Sequence, residues 1–329
     1  MLCNYKIKVI PKEKIYYVNI NYNKEDGDRF NHLIEQITKD LKKFGDRRYD
    51  FLSFMMNYTN VINRLNIVFN MLSDEISKKT YFDAVKHRLT YWLSRVEPSM
   101  TPSYTLQTPK YPVPKLKGEK TEVKKCITSL YVHCQYEIPG IVEINKGDIV
   151  IDAGACYGDS ALYFDSAVYP DGKVYAFEPN KDISKILQEN ILSNKGKNIV
   201  IVEKGLSDKI SFTKISNNGT ASTIIDSITD ENSDSLLEIE TTTIDDFVEQ
   251  NQIKKINFIK MDIEGYEYNA LNGAKNVIKN HKPKLAISIY HQCSDLYELP
   301  LLIHEINSDY KFYIRHASIN WNETILFCI

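Results

Sequence analysis

No Cys-x-x-Cys pair occurs in the 329 residues, and the six cysteines (Cys3, Cys126, Cys134, Cys156, Cys293, Cys328) stand at no metal-ligand spacing with histidine. That speaks against a zinc ribbon or a disulfide scaffold, and the cysteines read as reduced thiols of a cytoplasmic protein. No apolar run approaches the ~18 residues a spanning helix needs, so no membrane span is expected. The opening MLCNYKIKVIPKEK has no apolar core, so no signal peptide is expected, and Cys3 has no lipoprotein context. Neither charge is in excess: 41 Lys+Arg meet 43 Asp+Glu, a net of −2. Such a balance argues against a general nucleic-acid or polyanion binder. Also absent is the G-x-G-x-x-G fingerprint of dinucleotide sites. In its place stands Gly154-x-x-x-Gly158, with Ala155 and Cys156 inside it. What is present is ordinary globular material, 43% hydrophobic and 26% charged, long enough for one large or two ordinary domains.

The stretch 148–180, DIVIDAGACYGDSALYFDSAVYPDGKVYAFEPN, organises the rest. Ile149, Val150 and Ile151 predict a strand ending on Asp152. A small turn follows, then Ala161, Leu162, Phe164 and Ala167 at helical spacing, then a strand 174–177 ending on Glu178. This is the strand, glycine turn, helix, strand form of a mononucleotide-binding unit. Gly154 lets backbone approach a ligand, and the helix N-terminus turns unpaired N–H groups to the same spot. Glu178 can accept two ribose hydroxyl hydrogen bonds. Asp152 would repel a pyrophosphate but suits a cationic ligand, such as the sulfonium and ammonium of S-adenosylmethionine (SAM). The other reading of this turn is any doubly wound α/β protein with a glycine in its first loop.

Along the chain, residues 1–22 alternate weakly and read as short strands or an extended arm. Residues 26–96 predict three helices. Asp28 caps the first, Phe51 to Leu72 form the second, and Ser73-Asp74 precede the third. His32 and His87 read as solvated surface residues. Prolines 98, 102, 109, 112 and 114 mark a linker over 97–118, and the lysine-rich segment 115–125 reads as solvated. Tyr131, His133 and Tyr136 stand where an incoming segment covers a ligand, or merely packs. After Glu178 come a helix, a strand 199–202, and a loop 203–208 placed to hold an adenine edge. Residues 209–243 read as a hairpin or flap around Asn217-Asn218-Gly219. A strand 256–261 runs into Asp262-Ile263-Glu264-Gly265-Tyr266-Glu267. A strand 284–290 precedes His291, and two strands, 311–315 and 324–328, close the chain as an antiparallel pair.

In order, VIDAGACYGDSALYF, VYAFEPN, IKMDIEGYEYNALNGA and LAISIYH resemble the FkbM family of SAM-dependent methyltransferases, over about residues 125–329. The D-x-E-G-x-E block followed by L-x-G-A is the more specific part. The resemblance implies a seven-stranded Rossmann-like α/β sheet with an antiparallel C-terminal strand, and O-methylation of sugars or similar hydroxylated molecules. It places Asp152, Gly154 and Ala155 against the methionine part of SAM, with Tyr157, Gly158, Asp159 and Ser160 completing that turn. Glu178 would bind ribose, with Pro179 and Asn180 beside it, and Gly205 and Leu206 would border adenine. Asp262 would lie at the junction of cofactor and acceptor.

A sugar hydroxyl needs a base or a metal to become a nucleophile at neutral pH. His291 and Asp262 follow neighbouring strand ends, so His291 is the first candidate base and Asp262 the second. Glu264, Tyr290, Arg315 and His316 are candidate acceptor contacts, the last two equally explained as a solvated strand end. Asp262, Glu264 and Glu267 could gather a divalent cation, but acids at a helix start also suit the helix dipole, and no metal is assigned. The expectation is a SAM-dependent O-methyltransferase domain over 119–329. Before it, residues 1–118 form a mainly helical region with a proline-rich linker, which selects the acceptor or joins copies of the chain. A nicotinamide-dependent oxidoreductase and a non-catalytic SAM-binding module are the alternatives.

Overall fold

The structure is a computed structural model and describes residues 27–33, 35, 58–94, 102–103, 108–216, 224–225, 236–318 and 322–329. The expected strands of residues 1–22 lie outside it. Two long helices come first, α1 (Tyr58–Met71) and α2 (Glu75–Ser94), then α3 (Lys120–Ile127), which runs into one π turn at Thr128–Val132. The βα alternation follows as β1 (Ile149–Ala153), α4 (Asp159–Val168), β2 (Lys173–Phe177), α5 (Lys181–Ser193) and β3 (Ile199–Val202). Four strands leave the main layer: β4 (Gly205–Leu206), β5 (Ser211–Ser216), β6 (Ile224–Ile225) and β7 (Leu236–Thr242). Then come α6 (Ile244–Gln250), β8 (Phe258–Met261), α7 (Glu267–Asn272) and α8 (Lys275–His281). The chain closes with β9 (Lys284–Ser288), α9 (Asp295–Ile306), β10 (Phe312–His316) and β11 (Thr324–Cys328).

The main sheet has seven strands in the order β10-β11-β9-β8-β1-β2-β3. Only β11 runs against its neighbours, antiparallel to both β10 and β9. Strands β1, β2, β3, β8 and β9 pair in parallel, as the α/β reading expects. Their apolar runs explain why: Val150, Ile151, Val174, Phe258, Ile259, Leu285 and Ile287 are buried under helices on both faces. The strand order reverses between β1 and β8, and a crevice opens there at the carboxyl ends. The expected flap is a second small sheet, β4-β7-β5-β6, in which β5 pairs antiparallel with β7.

The N-terminal helices pack onto this sheet. Asp74 caps α2 by accepting the Ser77 N–H at 2.7 Å. Phe30, Leu65, Val68, Tyr81 and Val85 share one buried cluster with Phe312 and Ile314 of β10. His87 is buried in this region, against the solvated reading, because its face of α2 is the packed one; His32 is exposed. The lysine-rich segment also differs from a solvated linker. Asn190 of α5 accepts the Lys117 N–H at 2.7 Å and donates to its carbonyl at 2.9 Å, which ties the segment down like a β rung.

Candidate functional site

The turn after β1 is shaped by its neighbours before any ligand. Gly154 has φ +80°, and a Cβ on it would overlap the main-chain carbonyl oxygen of Asp262. The glycine read as room for a ligand is thus demanded first by the end of β8. Gly158, at φ +90°, opens α4, and a Cβ there would meet Leu187 at 2.6 Å. Ala155 is fully buried, and Tyr157 packs under Gly118 with little exposure. Glu178, at the tip of β2, accepts the Cys156 N–H at 3.1 Å and the Asn180 N–H at 2.9 Å. Burial outweighs those two bonds and pushes its pKa up to about 7. Asn180 turns inward and caps α5, accepting from Asp182 N–H at 3.0 Å.

Asp152 departs from its expected part. It is fully buried, its Oδ2 accepts the Ser160 hydroxyl at 2.7 Å, and Lys260 Nζ stands 3.2 Å from its Oδ1. Lys260 also donates to the carbonyls of Ala153 at 3.0 Å and Gly154 at 2.7 Å. A lysine inside a central strand neutralises the acid, so the cation Asp152 faces is Lys260 and not one of a ligand. Asp159, on the first turn of α4, faces the cleft instead. Burial raises its pKa to about 6, so it is largely ionised at neutral pH.

Across the crevice, Asp262 is held by two tyrosines. Tyr136 O–H donates to its Oδ2 at 2.9 Å and Tyr290 O–H to its Oδ1 at 3.0 Å. Burial alone would raise its pKa, but His291, Lys260 and the two hydroxyls outweigh it and hold it below the usual aspartate value. Behind it, His291 Nδ1 lies 3.0 Å from Glu267 Oε1, and Nε2 lies 3.4 Å from Asp262 and 3.6 Å from Glu264. Burial would lower the imidazole, yet Glu267, Asp262 and Glu264 prevail and push it up to about 10. This corrects the expectation for His291: at neutral pH it is an imidazolium with no lone pair to take a proton. The same geometry bears on a cation. Donor atoms of Asp262, Glu267 and His291 lie within 4.8 Å of one another, so His291 replaces Glu264 in any such set. A proton on His291 already balances these acids.

Of the expected residues, the structure brings Gly154, Asp159, Ser160, Glu178, Pro179, Gly205, Leu206, Asp262, Glu264 and Tyr290 around one cleft. Arg315 and His316 are elsewhere. Arg315 pairs with Asp74 at 2.7 Å and donates to Ser77 at 2.9 Å, and His316 Nδ1 sits 2.8 Å from Thr324 Oγ1, fully buried. Arg315 is turned toward the start of α2 and His316 is held against Thr324 of β11, and neither lines the cleft.

Several cleft residues escaped the sequence reading. Phe177, Ile183, Ile215 and Ile239 form an apolar wall, the last two delivered by the small sheet. Lys260 carried a signal, since a lysine inside FIKM breaks an apolar strand. Glu323 carried none, being one acid in a short polar connection before β11. It is nearly buried, accepts a hydrogen bond from the Gln135 amide, and its Oε1 lies 3.4 Å from Lys125 Nζ.

Comparison with known proteins fits this arrangement. Residues 152–311 match the methyltransferase FkbM domain. Over that stretch the chain is similar to the FkbM methyltransferases. The hexuronic acid methyltransferase AglP of Haloferax volcanii is 32% identical over 144 residues, 42% of this chain and 54% of that protein. The crystal structure of a methyltransferase FkbM from Methylobacillus flagellatus KT shares the fold, with a TM-score of 0.57 at 24% identity. It covers 82% of this chain and 60% of that one. The chain thus spans about half the length of the curated relative it matches. The match to the FkbM domain begins on Asp152 and takes in Glu178, Asp262 and His291, while Tyr136 and Glu323 lie outside it.

Proposed function

We propose that the chain is a SAM-dependent O-methyltransferase that modifies a hydroxyl of a sugar, a glycan or a similarly hydroxylated molecule, through a unit spanning 119–329. The observation that carries this reading is one cleft at the strand-order reversal with two chemically distinct halves. In the first half, Glu178 is placed to accept from ribose hydroxyls, and Leu206, Phe177, Ile215 and Ile239 offer an apolar slot for a flat base. Asp159 stands where an ammonium or sulfonium is favoured and a pyrophosphate is not, which disfavours the nicotinamide alternative. These residues fit SAM, which when bound would supply an electrophilic methyl group.

The second half belongs to the acceptor. Tyr136, Tyr290 and Asp262 make a fixed polar floor, and Glu264 and Glu323 border it. The chain's own work there is to orient a hydroxyl, exclude water and remove one proton. The hexuronic acid in the name of the Haloferax relative supports a sugar acceptor. Among the described residues no helix is long and apolar enough to cross a membrane, and we read the chain as cytoplasmic.

The test is transfer of labelled methyl from SAM to fractionated extracts of the source cell, with and without a chelator, followed by mild alkali. Label in a carbohydrate fraction that survives alkali marks an ether and supports the reading. Label released as methanol marks an ester on a carboxylate, and it overturns O-methylation of a hydroxyl. A non-catalytic binding module predicts SAM binding with no transfer at all.

A further inference from the structure

We propose that Glu323 is the general base that takes the proton of the acceptor hydroxyl. The inference rests on the methyltransferase reading and deepens it. Three observations carry it. Glu323 lines the acceptor half of the cleft, on the same cavity as Tyr136, Asp262 and Tyr290. Its carboxylate is fixed rather than mobile, between the Gln135 amide and the Lys125 ammonium, and it is only 7% exposed. Its backbone is left-handed at φ +74°, a costly conformation for a residue other than glycine, and its carbonyl accepts the Ala317 N–H at 2.9 Å. Such a conformation persists only where the surroundings hold it, as they also do for Glu264 at φ +56° on the same cleft.

Three other groups of the acceptor half suit the role less well. Asp262 accepts two tyrosine hydroxyls and has the cations of His291 and Lys260 beside it, so it stays ionised as a weaker base than Glu323. His291 lies between three carboxylates and keeps its proton. Glu264 is 37% exposed and its carboxylate faces that imidazolium. The charged and titratable groups around Glu323 are Asp262, Glu264, Lys125, Tyr136, Tyr290 and Cys126. Burial and the charge of Asp262 raise Glu323 to about 7, against the pull of Lys125, which suits a base working near neutrality. In the transfer, the hydroxyl proton passes to a Glu323 oxygen as the acceptor oxygen bonds to the methyl carbon. The carbon–sulfur bond breaks with its electron pair left on sulfur. A carboxylate acceptor would need no such base.

The experiment is an infrared pH titration of the protein without ligand, set beside kinetics with labelled SAM and a mixture of neutral hexoses as the hydroxyl probe. Wild type should show a carboxylic-acid band that titrates near pH 7, and a rate that rises with pH through the same range. Glu323→Gln should lose that component of the band, lower the rate on the order of 100-fold or more and flatten its pH dependence. Glu323→Asp should recover part of the rate, and SAM affinity by calorimetry should stay within a few-fold in both variants. An unchanged band in Glu323→Gln overturns the proposal. So does a wild-type pH profile in that variant, or loss of the profile in Glu264→Gln instead. If wild type binds no SAM, the methyltransferase reading fails first; if it binds and methylates while Glu323→Gln is unaffected, only the base assignment fails.

Discussion

The Cα of Gly154 faces the main-chain carbonyl oxygen of Asp262 so closely that a Cβ would overlap it. The Asp262 N–H in turn donates to Ala153 O at 3.1 Å. The turn of the first half-site and the strand end of the second are therefore one packed unit. Gly154→Ala must push β1 and β8 apart and hold alanine at φ +80°. It should cost on the order of 1–3 kcal/mol and weaken SAM binding at least tenfold. Thermal melting and calorimetry on the variant check this; wild-type values for both would show that the two halves are independent.

His291 should hold its proton across the neutral range. Its pKa is pushed up to about 10 by Glu267, Asp262 and Glu264, against its burial. Nitrogen NMR of the imidazole should show an imidazolium from pH 5 to 9, and Glu267→Gln should move its titration toward the usual value of about 6.5. An imidazole titrating near 6.5 in wild type would restore His291 as a candidate base.

Stability should fall as pH rises from 5 to 8. Glu178, Glu264, Glu323 and Asp295 are raised to about 7, and Asp159 to about 6, chiefly by burial. Their folded pKa values exceed the unfolded ones, so over this window the native state binds more protons than the unfolded chain. Their contribution is full below the unfolded carboxylate values of about 4 and is lost as pH rises through about 7. His291 acts in the same sense between about 6.5 and 10. Asp262 and Asp74, both lowered, act oppositely, but only as pH falls into the acid range. Melting temperature across pH 5 to 8 checks the slope, and Glu178→Gln should flatten part of it.

Removing Lys260 should be among the most disruptive single changes. It leaves Asp152 buried without its cation and the carbonyls of Ala153 and Gly154 without their donor. Breaking a buried pair from one side costs about 3–5 kcal/mol. Lys260→Met should reach that range in denaturant unfolding, and the double variant with Asp152→Leu should recover much of it. Additive losses in the double variant would mean that the pair is not coupled.

The sequence exposed the fold better than the site. Apolar runs at 149–151, 174–177, 256–261 and 284–290 become central strands because each is long enough only for a fully covered strand. Helical spacing found α1, α2, α4 and α5. The β2 tip at Glu178 and the Asp262 block were legible because strand ends of such sheets face the ligand crevice. Charge was not legible, since it depends on contacts across the fold. Asp152 reads as a free acid until Lys260, more than a hundred residues later, is seen beside it. His291 reads as a base until Glu267 is placed 3.0 Å from it. Arg315 reads as a substrate contact until α2 brings Asp74 to it. Tyr136 reads only as part of an incoming segment that covers a ligand or packs, and Glu323 enters the cleft from a short connection that no motif marks.

The central claim is that the cleft bordered by Gly154, Asp159 and Glu178 binds SAM, and calorimetric titration of SAM into the intact chain tests it most directly. Saturable one-to-one binding in wild type is predicted, together with its weakening in a Glu178→Gln variant whose fold is intact by circular dichroism. No binding at millimolar SAM, or tight binding of a nicotinamide dinucleotide in its place, would contradict the account.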